Sequence, residues 1–249
     1  MTTNNDSIFL PNGTEVMRVP AGMFIMGSKE YALRNISTPQ HVVDIPYDYW
    51  MARYPVTNAE YAVYVKSYNV KHPVIDWEEK KYCPVTRVSW EEAVMYCEWL
   101  NLQIQDFDFN NLKLQIRLPT EAEWEKAARG TDSREYPWGD TFDKNNCNLV
   151  GLETQTPVGY YSPRGDSPYG CADMGGNVCE WTNSIYHSYP YRADDGREDQ
   201  KIFSSRVVRG GGTMIETEVC ARCAYREACD YLDRYLDRGF RVVLAPPLF

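Results

Sequence analysis

The sequence predicts one irregular α+β domain, on three observations. Short helix starts that share one capping signature are set among strands punctuated by Pro and Gly. Residues 130–200 keep no helical period, yet they are too aromatic to be left in solvent. No fixed-period repeat or low-complexity tract divides the 249 residues, so a single domain over 1–249 is expected.

The opening reads as a strand pair, Glu15–Pro20 with Gly22–Gly27, because both runs are short and lack helical spacing. His41–Ile45 is a further extended run, ahead of the aromatic stretch Tyr47–Ala52. Three helix starts follow at Thr57, Ser89 and Thr120, each a hydroxyl residue with Glu three positions later. There the hydroxyl accepts from the third helical N–H while the carboxylate answers the cap's own N–H. The second helix carries a stripe at Trp90, Val94, Cys97 and Leu100, which makes Cys97 a small buried hydrophobe. The third turns Trp124, Ala127 and Ala128 inward and ends at Arg129, with Gly130 placed for the left-handed stop. Residues 130–200 read as ordered loop over the core. Ser205–Arg209 returns to strand, and Gly239–Leu244 reads as a strand with Phe240, Val242 and Leu244 on its better-buried face.

Composition excludes several classes of function. With 26 basic and 35 acidic residues the chain carries −9, which repels a phosphate backbone, and residues 201–249 are charge-mixed instead of basic. No nucleic-acid partner is expected. No run is apolar enough to span a bilayer and the N-terminus lacks a secretory pattern, so a cytoplasmic monomer with no membrane span is expected. Eight cysteines without an export signal are expected to be thiols.

Ordered blocks then become recognisable. Val19–Ser28, Pro55–Tyr61, Pro84–Trp90, Arg117–Glu125, Tyr136–Gly139, Gly175–Trp181, Val208–Gly211 and Gly239–Arg241 together resemble the formylglycine-generating enzyme (sulfatase-modifying factor) family. The resemblance implies an irregular C-type-lectin-like fold with long ordered loops. It does not imply catalysis, because function lives in the site and not in the fold. Enzyme members of that family oxidise a substrate cysteine with copper held by two cysteines, four and nine residues beyond the position of Gly211. Here those positions are Ile215 and Cys220. A branched aliphatic cannot ligate copper, whose Cu(I) form wants paired soft thiolates. A shifted pair, Cys220 with Cys223, remains as the alternative: a copper-dependent formylglycine-generating or related thiol oxidase.

The tail also resembles the last segment of retroelement-diversified variable proteins of the same superfamily. Arg222, Arg226, Arg234, Gly239, Phe240 and Arg241 stand where such proteins keep fixed scaffold anchors. Between anchors, adenine-directed mutation of asparagine codons reaches residues such as Tyr, Asp, Cys and Ile but not Met or Glu. Ile215, Thr217, Val219, Ala221, Cys223, Tyr225, Cys229, Tyr231, Asp233, Tyr235 and Asp237 satisfy that rule, whereas Met214, Glu216, Glu218 and Glu227 do not. With Thr213, the residues that satisfy it form the expected ligand-binding face, on a segment spanning about 213–237. Its tyrosines supply rigid contact area with a polar tip. Non-catalytic binding of a protein or peptide is the leading expectation.

Other constellations weigh less. Cys220 and Cys223 have the spacing of half a zinc site, but His41, His72 and His187 are remote in sequence. Asn148, Asn177 and Glu180 are a candidate oxygen set for structural calcium, against the alternative that Glu180 pairs with an arginine. No cofactor is expected to be required, and copper belongs only to the oxidase alternative. The triglycine Gly210–Gly212 lacks the flanking lysine of a phosphate cradle.

Overall fold

The hydroxyl–x–x–Glu starts decide where the helices begin. The computed structural model describes residues 7–29, 36–104, 113–149, 154–213 and 217–248. In it Thr57, Ser89 and Thr120 each accept from the N–H of the glutamate three residues on, and that glutamate accepts from the cap's own N–H. These reciprocal bonds open α1 (Asn58–Ser67), α2 (Trp90–Gln103) and α3 (Glu121–Arg129). Gly130 ends α3 with φ of 73°, a backbone that resists any Cβ.

The strands in chain order are β1 (Ser7–Phe9), β2 (Glu15–Val19), β3 (Gly22–Met26), β4 (His41–Ile45), β5 (Tyr49–Ala52), β6 (Gln115–Arg117), β7 (Cys179–Ile185), β8 (Arg206–Arg209), β9 (Arg226–Cys229), β10 (Arg238–Gly239) and β11 (Val243–Ala245). One sheet runs β1-β2-β5-β11-β6, a second runs β10-β7-β8-β9, and β3 and β4 form a ribbon. The expected pairing of 15–20 with 22–27 does not form: β2 lies between β1 and β5, and β3 pairs with β4. Lys126 explains the parting, since its ammonium donates to the carbonyls of Pro20 and Gly22 at 2.7 Å each and ties the bend to α3.

Every residue of α3 is buried, its charged ones included, because the helix lies against β3, β4, β7 and β8 at once. Each buried charge has a partner: Glu123 takes two 2.7 Å bonds from Arg117, Arg129 reaches Glu125 at 2.9 Å, and Arg209 pairs with Glu125. One apolar cluster joins α1 and α2 to the longer sheet, and another gathers around Trp124 and the β3–β4 ribbon. A third, of Tyr136, Cys147, Leu149, Cys220 and Ala221, lies under the tail.

The stretch 130–200 is not all loop, for it contains β7. All seven β7 residues are buried, so the alternation that betrays a half-exposed strand is absent. Its aromatics are not uniformly internal either, since Trp181 is buried but Tyr160 is exposed. The C-terminal run also departs from expectation. It divides into β10, parallel to β7, and β11, which pairs with β5 and β6. Arg241 and Val243 are as buried as Phe240 and Val242, so this run has no solvent face. No helix among the described residues is long and apolar enough to cross a membrane.

Candidate recognition site

The tail begins with a crossing under its own return. Gly211 has φ of 68°, and a Cβ there would sit 2.6 Å from the carbonyl oxygen of Cys220. The chain then makes a 3-10 turn at Glu218–Ala221, runs as β9 along β8, and leaves the sheet at Asp230. Ile215 lies outside the described residues.

Burial sorts the predicted face into two groups. Ala221, Cys223, Cys229 and Asp237 are inside, so the structure does not offer them to a ligand. For Cys229 the reason is its place on β9, a strand the sequence did not reveal. Thr213, Val219, Tyr225, Tyr231 and Asp233 are half-buried, while Thr217 and Tyr235 are exposed. Among the described residues, the outward part of the tail is therefore chiefly 230–236.

That loop is held by its backbone and by Arg238, which pairs with Asp233 at 3.8 Å and stacks on Tyr235 at 4.5 Å, and it still presents several side chains. Leu232 N–H donates to Asp230 Oδ1 at 2.9 Å and Asp233 N–H to the Asp230 carbonyl at 3.0 Å, closing a turn. Trp90 N–H donates to the Tyr231 carbonyl at 3.0 Å and Arg87 N–H to the Tyr235 carbonyl at 3.1 Å, which fixes the loop on the start of α2. Leu232, Tyr235 and Leu236 are left about half exposed, at 51%, 51% and 46%. The Tyr231 ring lies 5.5 Å from Phe203, which is itself exposed along with Ile202. Beside the loop opens a groove of about 850 Å³ whose walls include Tyr61, Tyr64 and Tyr68 of the α1 side, Met95 of α2, Arg87 and Arg234.

Each proposed arginine anchor reaches a different glutamate. Arg226 is fully buried and grips Glu121 at 2.5 and 2.8 Å, and Arg241 grips Glu180 at 2.6 and 2.7 Å. Burial pushes the Glu121 carboxyl up, but Arg226 and Arg209 outweigh it and hold it below the ordinary range. Arg222 is half-buried, 3.6 Å from Glu135, and Arg234 is exposed, bonded to Glu92 at 2.9 and 3.1 Å. Arg234 is thus a surface pair and not a buried anchor. Gly239 lies in β10 and Phe240 in the α1–α2 cluster, both buried.

The metal candidates can be tested on their own atoms. Glu180 is committed to Arg241 and to Trp124 Nε1 at 2.8 Å. Asn177 Oδ1 accepts from Thr156 N–H at 3.0 Å and Asn148 Nδ2 at 3.3 Å, which leaves Asn148 Oδ1 as the one oxygen of the set without a bond. Calcium takes six to eight oxygens, and of this trio only Asn148 Oδ1 is left uncommitted among the described residues. Cys220 and Cys223 pack into different apolar clusters, Cys220 with Tyr136 and Leu149 and Cys223 with Trp124 and Met174. Burial raises the Cys220 thiol and pushes Cys223 up to about 12, as expected of thiols in apolar surroundings. All eight cysteines are free and buried, and no group of three or more His, Cys, Asp or Glu among the described residues is placed to hold a metal ion.

Residues 6–246 match the family model described as the sulfatase-modifying factor enzyme 1-like domain. The chain belongs to this sulfatase-modifying factor family. Within it, the inactive C-alpha-formylglycine-generating enzyme 2 of Bos taurus is 28% identical over 72% of this chain and 74% of its own. The serine/threonine-protein kinase pkn1 of Chlamydia caviae is 30% identical over 87% of this chain, which spans only 35% of that protein. Among solved structures, PvdO from Pseudomonas aeruginosa superposes with a TM-score of 0.81 at 23% identity, covering 98% of this chain and 100% of that one. Treponema denticola variable protein 1 superposes at 0.71 with 21% identity, covering 96% and 98%. At these identities the two structures show a shared fold: the irregular α+β fold of the formylglycine-generating enzyme type.

Two parts of the site were not foreseen from the sequence. The groove walls come from α1 and α2, far from the tail in sequence, and Phe203 and Ile202 lie in the stretch before β8. The apolar pair Ile202–Phe203 among polar residues was the one available cue.

Proposed function

We propose that the chain is a non-catalytic ligand-binding protein that presents a recognition surface from its C-terminal segment to a protein or peptide. The observation that carries this reading is the exposed apolar set Leu232, Tyr235 and Leu236, continued by Phe203 against Tyr231, on a loop whose backbone is tied to α2. Exposed apolar patches of this kind mark interaction sites, and rigid aromatic anchors lose little entropy on binding. The packing of Cys220 and Cys223 in different apolar clusters and Ile215 at the other copper position stand against the oxidase alternative. The bovine relative's designation as an inactive enzyme supports the same side. Diversification of the tail belongs to the proposal too, and a second, adenine-marked copy of its coding sequence in the surrounding genome would be its trace.

Panning a random-peptide library on the immobilised protein tests the reading. It is expected to enrich binders that Tyr235→Ala weakens by about tenfold or more, roughly 1.4 kcal/mol. The same substitution removes a half-exposed ring that lies 4.5 Å from the buried Arg238 guanidinium, so stability should fall by no more than about 1 kcal/mol. Absence of enrichment, or binders indifferent to Tyr235→Ala, contradicts the proposal.

A further inference from the structure

Arg87 is exposed and holds φ of 60°, a conformation that costs a β-carbon-bearing residue energy. Its neighbours over-determine that backbone: Val85 N–H donates to the Val56 carbonyl, Arg87 N–H to the Tyr235 carbonyl, and Ser89 caps α2. Glycine would meet the same geometry without strain. An arginine kept there points to a use for its side chain.

The guanidinium stands at the groove between α1, α2 and the tail loop, and no carboxylate among the described residues lies within ion-pair distance of it. Asp76, a carboxylate that senses Arg87, is already paired with Lys80 at 2.8 Å. Lys71, on the same groove wall, is also exposed and has no ion pair among the described residues. Of the two glutamates on the wall, Glu92 is occupied by Arg234 and by the Ser89 N–H, whereas half-buried Glu91 has no ion pair among the described residues. His72 stacks on Trp77 at 5.2 Å and is held towards its neutral form by burial. The groove thus combines tyrosine rings and Met95 with two cations, Arg87 and Lys71, and one carboxylate, Glu91, that are unpaired among the described residues, on a chain whose net charge is −9. The excess of one cation over the free carboxylate, against that background, favours an anionic ligand.

We propose that this groove is the binding pocket for an acidic peptide segment, with apolar or aromatic side chains seated among the tyrosines and adjacent carboxylates held by Arg87 and Lys71. The inference rests on the reading of the tail as a recognition surface and names its ligand class. It assigns to α1 and α2 a share of the recognition that the tail alone would not have.

Peptides selected from a random library, then synthesised and titrated, read the proposal. They should be enriched in Asp or Glu next to Leu, Phe, Trp or Tyr, and their affinity should fall several-fold as salt rises from low to physiological levels. Arg87→Gly should weaken them by about tenfold or more while leaving stability unchanged or raised, since the strain goes with the side chain. Arg87→Asn, which tolerates the same backbone, reads the lost charge without added chain freedom, and Lys71→Glu should weaken binding in the same direction. Selected peptides that are neutral or basic overturn the proposal. Peptides that need Tyr235 but are indifferent to Arg87→Gly and Lys71→Glu overturn the groove and leave the recognition surface standing. No enrichment at all overturns both.

Discussion

Arg226→Ala is expected to lower the unfolding free energy by about 3–5 kcal/mol in a denaturant titration, one of the largest single effects in this chain. The guanidinium has no solvent exposure; besides Glu121 it donates to the His187 carbonyl at 2.9 Å and the Ile36 carbonyl at 3.2 Å. Its face also lies 4.4 and 4.2 Å from the ring centres of Tyr186 and Tyr189. Truncation would leave Glu121 buried with only Arg209, 3.8 Å away, and the Tyr189 hydroxyl at 3.0 Å. A buried charge deprived of its main partner is costly, whereas an exposed pair is worth little. Arg234→Ala, which opens the surface bond to Glu92, should therefore cost less than about 1 kcal/mol. Equal losses for the two would contradict the division of the tail into buried frame and exposed loop.

Trp124→Ala is expected to cost a similar 3–5 kcal/mol, by a different route. The indole is fully buried in the α3 cluster, and a Cβ on Gly210 would come within 3.1 Å of its Cζ2, so the backbone of β8's exit lies directly on the ring. Alanine would leave a cavity that α3, packed on four strands, cannot collapse into. It would also take a hydrogen bond from Glu180, which Arg241 would still hold. Thr120→Ala, which removes only the cap of the same helix, should cost about 1 kcal/mol. Equal and small effects of the two would contradict the placement of α3 at the centre.

How much of this was legible follows from what each residue depends on. The three capping boxes are local: four residues contain donor and acceptor, so sequence sufficed for α1, α2 and α3. Gly130 and the inward face of Trp124, Ala127 and Ala128 were legible for the same reason. β7 and β9 were not, because their burial on both faces, or their pairing with β8, is set by residues distant in sequence. The tail's arginines were readable as ion-paired, but which were buried was not. Arg226 meets a helix at the centre of the fold while Arg234 meets the rim of α2, and only the topology distinguishes them. The groove is the extreme case, since its rings come from α1 and its cations from two loops and the tail. Nothing in their spacing brings them together.

The central claim is that recognition belongs to the outward loop of the tail and the groove it borders, carried on a frame of buried arginines. Amide hydrogen exchange, measured on the protein alone and saturated with a library-selected peptide, tests this most directly. The account predicts slowed exchange at residues 230–236 and 87–92, with 217–223 unchanged. Slowed exchange confined to 217–223, around Cys220, with no change in the loop or at Arg87, would contradict it and return attention to the cysteines.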